Sequence, residues 1–213
     1  MPGRITALEA GCGSRVVEVH VDGQPWRRLN RRLVKRAGIG VGSELDDETL
    51  CLLDEQERIL AEEISLRLLT HRSRSVQEMT TRLAASGIGS EAAGDQIARL
   101  RCQGYLDDLS FAREWVDDRV RVGGHGRQRI SRELAAHGVS PELIQRALEA
   151  GCPAERELER AMELLGSATV LLRAAERDRA GKRKAWQWLV RRGYSSEIAY
   201  QAVSLASEGR HGD

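Results

Sequence analysis

Three segments of the chain follow one pattern: MTTRLAASGI at Met79–Ile88, ISRELAAHGV at Ile130–Val139 and AWQWLVRRGY at Ala185–Tyr194. Each segment has the apolar spacing of a helix that buries one face, and it ends in a glycine followed by an apolar residue. A glycine just after a helix readily takes the left-handed conformation that caps the last carbonyls, and the apolar residue beyond it packs back onto the helix. The pattern predicts three equivalent helix ends, at Gly87, Gly138 and Gly193.

Further helices are predicted on both sides of these segments. A serine suited to the N-cap of a following helix comes after each glycine, at Ser90, Ser140 and Ser195. A preceding helix aligns in the first two copies, where Leu60, Ala61 and Ile64 correspond to Phe111, Ala112 and Trp115. In the third copy that helix falls within residues 154–175, with Gly166 and Ser167 inside it. We therefore expect a stacked array of three-helix repeats, in which each repeat leans on a neighbour to complete its apolar core.

The first part of the chain has the two-residue period of a β-strand. Val17, Val19 and Val21 point to one side, and Asp22-Gly23 is a hairpin turn signal. A small hairpin or three-stranded flap is expected there, followed by a short helix at 31–36. The predicted fold is mainly α, a tandem array of three three-helix repeats behind this flap. Its predicted parts are a flap and short helix at 1–45, repeats at 46–106, 107–151 and 152–209, and a tail at 210–213.

Composition narrows the class of protein. The 213 residues are 41% hydrophobic and only 4% aromatic, which favours a helical core of aliphatic side chains. Because the apolar runs are far shorter than a membrane span and the N-terminus lacks a secretion signal, a cytoplasmic protein is expected. The cysteines form no CxxC pair, so we expect reduced thiols and no metal site at Cys12, Cys51, Cys102 and Cys152.

Charge is segregated along the chain although the formal net charge is only +1. Residues 22–41 are basic, and residues 44–63 hold nine acids against Arg58 alone. Residues 119–132 hold five arginines and no acid, and residues 173–192 hold eight bases against two acids. This distribution predicts distinct positive and negative surfaces. Whether the acidic segment contacts a partner, folds back on the preceding bases or solvates a long helix is open at this point.

Two elements around the second repeat carry a family resemblance. GYLDDLSFA at Gly104–Ala112 is followed by a glycine, arginine, glutamate and glycine pattern, G-x-x-R-I-x-x-E-L-x-x-x-G-V, at Gly126–Val139. Their order and spacing resemble the RecX family of RecA modulators, and the similarity extends over most of the chain. The diverged first helix of the third repeat departs from the family pattern.

The resemblance implies a regulator without catalytic residues or cofactors. Such a protein binds RecA and its filament on DNA and chiefly inhibits recombinase, ATPase and coprotease activity in recombinational DNA repair and the SOS response. The implied partners are RecA, the RecA–DNA filament and DNA with weak or no sequence preference; a monomer without membrane contact is expected. The sequence itself has no Gly-rich phosphate loop and no nucleophile beside a base, which argues against an enzyme.

Several family-motif residues have a structural interpretation. Asp107 and Asp108 suit the cap of the next helix, where the dipole favours their charge, and no His or Glu joins them as metal ligands. Phe111 is expected in the core. Gly138 and Gly193 are the helix-capping glycines described above.

Two basic clusters are the candidate contact surfaces for RecA or DNA phosphate. In the first, Arg129 and Arg132 are expected to face solvent while Ile130 and Leu134 face the core. Its members are Arg119, Arg121, Arg127, Arg129 and Arg132. An ordinary solvated face is an equally good interpretation of these residues.

The second cluster combines charge with aromatic rings, as proteins that bind single strands do. Its members are Lys182, Arg183, Lys184, Arg191 and Arg192, with Trp186 and Trp188 for stacking. Because the two tryptophans are two residues apart on a helix, only one is expected to face the core.

A second class of function is a helix-turn-helix module that binds DNA as a transcriptional regulator, since a helix, a glycine turn and a helix recur three times. The helix after Ser140 argues against it. Its polar residues are a poor set for reading base edges: Glu142, Gln145, Arg146 and Glu149.

Overall fold

The chain folds into two compact units, Met1–Asp107 and Asp108–Asp213, in a computed structural model that describes residues 3–11 and 13–208. Each unit is described by itself. The mainly helical prediction with a small N-terminal sheet is confirmed. The tail predicted at 210–213 and Cys12 lie outside the described residues.

The first unit begins with a four-stranded antiparallel sheet. Its strands are β1 (Gly3–Glu9), β2 (Val16–Val21), β3 (Gln24–Asn30) and β4 (Glu44–Leu45), in the order β3-β2-β1-β4. The Asp22-Gly23 turn joins β2 to β3, with positive φ at both residues. The predicted alternation is confirmed by Val17 and Val19, which are buried beside exposed Glu18. Strand β4 was not predicted, because two residues are too few to show a period.

Four helices complete the first unit. They are α1 (Arg31–Arg36), α2 (Asp47–His71), α3 (Val76–Ala85) and α4 (Ser90–Cys102). The sheet and these helices share one apolar core, which includes Val19, Leu53, Leu60, Met79 and Leu83. Asp46 and Ser75 cap α2 and α3 through their side chains.

The acidic segment of α2 folds back on the bases of the first unit. Glu57 is almost fully buried; one carboxylate oxygen lies 2.6 Å from Arg27 Nη2 and the other accepts the backbone N–H of Gly89 at 2.8 Å. Glu63 binds both Arg32 and Arg36 at 2.8 Å. These pairs attach α2 to β3 and α1. Of the three alternatives left open by the sequence, the acidic segment therefore folds back on the preceding bases.

The second unit starts with a three-helix group: α5 (Asp108–Arg121), α6 (Arg127–Ala136) and α7 (Pro141–Gly151). Its core contains Phe111, Val116, Ile130, Leu134 and Ile144, among others. The Ser140 hydroxyl caps α7, which has a proline in its first turn as the sequence predicts.

The third helical group has four helices because its first helix is divided. After a short 3₁₀ turn at Ala154–Arg156, α8 (Glu157–Ser167) ends just past Gly166, and α9 (Thr169–Arg177) starts beyond Ala168. Then come α10 (Arg179–Arg191), capped by the Asp178 carboxylate, and α11 (Ser196–Glu208). The group packs its own core around Leu165, Leu189 and Ala199.

Within the second unit the two helical groups keep separate apolar cores, so the expectation that neighbouring repeats complete each other's cores is wrong there. They are joined by hydrogen bonds, two of which run between backbone atoms. The N–H of Gly126 donates to the carbonyl of Arg192 at 2.9 Å, and that of Gln128 donates to the carbonyl of Gly193 at 3.1 Å. A Cβ at Gly193 would overlap the side chain of Arg129, so glycine allows this close approach.

Candidate interaction surface

One cleft in the second unit brings together residues from both predicted basic clusters. It lies among α6, α7 and α10. Its lining consists of Arg127, Gln128, Ser131, Arg132, Gln145, Leu148, Val190 and Arg191. No acidic residue lines it, so the cleft presents cationic and amide groups beside two apolar side chains, Leu148 and Val190.

Arg132 and Arg191 are the cations of this cleft that remain available to a partner. Arg132 is exposed on the face of α6 opposite Ile130 and Leu134, and its Nε donates only to the Gln128 carbonyl of its own helix at 3.2 Å. Arg191 is exposed at the end of α10. Neither arginine forms an ion pair with any residue of the ranges 3–11 and 13–208 that the structure describes.

Arg127 has a structural role at the side of the cleft. Its guanidinium donates to the carbonyls of Leu148 and Cys152, at the end of α7. Its backbone N–H donates to the buried carboxylate of Glu157 at 3.1 Å. These bonds hold the start of α6 against the end of α7 in its own group and against α8 in the next, so Arg127 positions the cleft and is not a free cation.

Arg119 and Arg129 are neutralised inside the second unit by Glu133. Their Nε atoms lie 2.8 and 2.9 Å from its two oxygens, and Trp115 Nε1 donates to it at 3.1 Å. Burial would raise the pKa of Glu133, but the hydrogen bonds from Arg129, Arg119 and Trp115 outweigh it and hold the pKa below its usual value. The Arg129 side chain is 41% accessible and so partly faces solvent, but it is ion-paired and is not a free cation.

Arg121 and Arg192 also have partners within the unit. Arg121 is exposed and lies 3.5 Å from Asp117 on the same helix. Arg192 donates to the Gly123 carbonyl at 2.7 Å and lies over the ring of Trp188 at 4.4 Å. By contrast, three residues of the second cluster are exposed and have no ion pair in the described parts of the chain: Lys182, Arg183 and Lys184.

The expectation that only one of the two tryptophans faces the core does not match the structure. Trp186 and Trp188 are both half-buried against the third core, and Trp186 Nε1 donates to the Ser196 carbonyl at 3.2 Å. The exposed ring in this region is Tyr200 on α11, with 68% of its surface accessible. Sequence reasoning missed it, although the buried neighbours Ala199, Ala202 and Val203 define a face that excludes position 200.

The family-motif residues lie around α5 and the helix ends. Asp108 begins α5 and Asp107 directly precedes it; capping by these carboxylates stays a prediction. Phe111 is 3% exposed, with its ring 5.7 Å from that of Trp115. Gly138 and Gly193 have φ of 78° and 94°, in the left-handed region.

The described residues give no sign of a metal or membrane site. No three His, Cys, Asp or Glu side chains among them could together hold a metal ion. None of the described helices combines the length and hydropathy of a membrane span. Cys51 and Cys102 are exposed free thiols, and Cys152 is a buried one whose pKa is raised by desolvation.

Comparison with known proteins identifies the family. Residues 61–100 match the model of the RecX first three-helix domain, and residues 107–148 match that of the second. The regulatory protein RecX of Mycobacterium ulcerans (strain Agy99) is 36% identical over 157 residues, which cover 73% of this chain and 88% of that protein. The chain belongs to the RecX family. RecX of Streptomyces coelicolor is 34% identical over 148 residues, 70% of this chain and 78% of the relative.

Solved RecX structures share the fold. A crystal structure of regulatory protein RecX superposes with a TM-score of 0.62 at 22% identity, covering 95% of this chain and 98% of that one. RecX from Lactobacillus salivarius gives a TM-score of 0.64 at 18% identity, covering 72% and 99% of the two chains. The RecX relatives are named regulatory proteins, so this chain is a member of a regulatory family.

Proposed function

We propose that this chain binds RecA and its nucleoprotein filament and chiefly inhibits recombinase, ATPase and coprotease activity in recombinational DNA repair and the SOS response. It acts in the cytoplasm as a monomer and performs no chemistry of its own. Its partner is a protein filament on DNA, and the contact is made by cations at the cleft among α6, α7 and α10. Membership of the RecX family supports the partner.

The observation that carries the proposal is the pairing of exposed Arg132 and Arg191 across one acid-free cleft. A guanidinium presents a planar fork that binds two oxygens of a carboxylate or phosphate at once. Two such forks from different helices suit a surface where acidic side chains or phosphates recur, as on a filament. The ion-paired Arg119 and Arg129 contribute by keeping the second helical group rigid.

The test measures RecA-dependent ATP hydrolysis on single-stranded DNA while the chain is titrated in. Wild type is expected to inhibit, and the double variant Arg132→Glu with Arg191→Glu is expected to need at least about tenfold more protein, the effect of losing buried charge-assisted contacts. Arg113→Glu, a reversal at an exposed arginine of α5 outside the cleft, is the matched control. Absence of any wild-type effect on ATP hydrolysis or strand exchange would contradict the function, and full inhibition by the double variant would remove the cleft from the contact.

The alternative of a sequence-reading DNA module receives no support from α7. Its exposed polar side chains include two acids, which phosphates would repel: Glu142, Gln145, Arg146 and Glu149. Retention on one duplex sequence against excess competitor DNA would be the result that favours this alternative.

A further inference from the structure

A second groove in the third helical group combines cations with aromatic rings. It lies between α10 and α11. Its lining consists of Arg179, Ala180, Lys182, Arg183, Trp186, Tyr200, Val203 and Ser204. Three of these eight residues are cationic, two are aromatic and none is acidic, so the groove is both positive and able to stack flat rings.

The exposed ring of Tyr200 is the feature that the fold itself does not explain. It is 68% accessible, on the side of α11 away from buried Ala199 and Ala202. Trp186 across the groove is held in place by its hydrogen bond to the Ser196 carbonyl. An exposed aromatic ring and a half-buried, hydrogen-bonded one therefore line the same groove, together with Val203.

The cations line up along one side of α10. Arg179, Lys182 and Arg183 are three and four residues apart, so they lie on the same helical face. All three are exposed, and no carboxylate lies within ion-pair distance of them in the described parts of the chain. The nearest acid along the sequence, Asp178, accepts the backbone N–H of Gly181 at 2.7 Å as the helix cap.

We propose that this groove binds single-stranded nucleic acid, with a base stacked on Tyr200 and the neighbouring phosphates against Arg179, Lys182 and Arg183. Stacking on an aromatic side chain requires an accessible base face, which a single strand offers and a duplex covers with its own stacking. The site is separate from the cleft proposed for RecA.

Sequence preference at this site is weak. Apart from the Tyr200 hydroxyl and Ser204, the lining offers no uncharged polar side chain with which to read base edges. The arginines and Lys182 recognise phosphate, which every nucleotide has. Affinity therefore depends on whether the nucleic acid is single-stranded and on salt concentration, rather than on base identity.

The experiment measures fluorescence anisotropy of a labelled oligodeoxythymidylate of about 15 nucleotides, within the range of known single-strand sites. Wild type binds, and Tyr200→Ala binds about 5- to 150-fold more weakly, as expected for the loss of one stacked base. Tyr200→Phe keeps the ring and retains affinity close to that of wild type. Gln201→Ala, an exposed change on the same helix outside the groove, is the matched control.

An abasic oligonucleotide of the same length separates stacking from charge. It should bind wild type and Tyr200→Ala equally, while Arg183→Glu weakens both strands. The proposal is overturned if the thymidylate strand does not bind, if Tyr200→Ala binds it as wild type does, if a duplex shows the same dependence on Tyr200, or if free thymidine triphosphate competes as well as the strand per nucleotide. Inhibition of RecA is assayed separately, so failure of the RecA proposal leaves this result interpretable.

Discussion

Gly193 meets two requirements that no other amino acid satisfies. Its φ of 94° lies in the left-handed region, and its α-carbon lies so close to Arg129 that a side chain would collide with it. The first requirement follows from the helix-capping pattern in the sequence. The second does not, because the sequence cannot show which neighbour the turn will touch.

Gly193→Ala is expected to lower the free energy of unfolding of the second unit by roughly 2–4 kcal/mol, about 1–2 from the left-handed backbone and the rest from the collision. Gly166→Ala is a control in which the opposite sign is expected. Gly166 lies inside α8 with open space around it, so alanine should raise the free energy of unfolding by roughly 0.5–1 kcal/mol. Urea unfolding of both variants measures the difference. Equal effects of the two substitutions would contradict this account of the junction.

Glu133 makes part of the stability of the second unit depend on pH. Because its pKa in the folded state is lowered, its contribution is complete above the usual glutamate value of about 4.3 and is lost as pH falls through the lower folded value. Glu133→Gln should therefore cost roughly 1–3 kcal/mol at pH 7. Urea unfolding at pH 7 and at pH 3 should show that cost shrinking in acid; an unchanged cost would mean that the charge of Glu133 plays no part.

At the scale of elements, the helix ends were predictable and the interruption of a helix was not. Local chemistry determines the ends: glycines follow α3, α6 and α10, and Ser140 caps α7. The break between α8 and α9 falls at Ala168, and Gly166 alone does not predict it, because an isolated glycine is compatible with a helix interior. The same limit applies to the site, where the clusters were visible in the sequence but the partners of Arg119 and Arg129 were not.

One buried carboxylate contributes to the attachment of α2 to the sheet. Glu57 joins Arg27 on β3 to the backbone N–H of Gly89 at the start of α4. Glu57→Gln is expected to lower the free energy of unfolding of the first unit by roughly 1–3 kcal/mol, because the amide removes the shorter, buried ion pair of Arg27 and leaves only Asp54, at 3.5 Å. Glu55→Gln on the exposed side of α2 should change it by less than about 0.5 kcal/mol. Similar values for the two variants in thermal unfolding would refute the bridging role.

At the scale of the whole molecule, charge is nearly balanced in each unit. The first unit holds 15 basic and 16 acidic residues, and the second holds 18 and 16. Attraction to an anionic partner must therefore come from a few unpaired local cations rather than from a general field. Three of the predicted contact arginines pair with internal carboxylates, and Arg127 and Arg192 donate to backbone carbonyls, which leaves Arg132, Arg191 and the exposed cations of α10.

Salt should consequently act on inhibition of RecA through those few contacts. Between about 50 and 200 mM salt, the amount of wild-type chain needed for half-inhibition should rise, as counterion release predicts. The double variant Arg132→Glu with Arg191→Glu should show a flatter dependence, and Arg113→Glu the slope of wild type. Parallel curves for all three proteins would place the electrostatic contact elsewhere.

The junction at Gly126 and Gly193 bears on how such chains diverge over time. Its two hydrogen bonds use only main-chain atoms, which every amino acid supplies. Two side chains add to them, since Arg192 donates to the Gly123 carbonyl and Glu157 accepts the N–H of Arg127. Substitution of other surface side chains therefore leaves the docking geometry intact, provided that both glycines persist. The charged surfaces can thus vary in sequence while the scaffold beneath them stays the same.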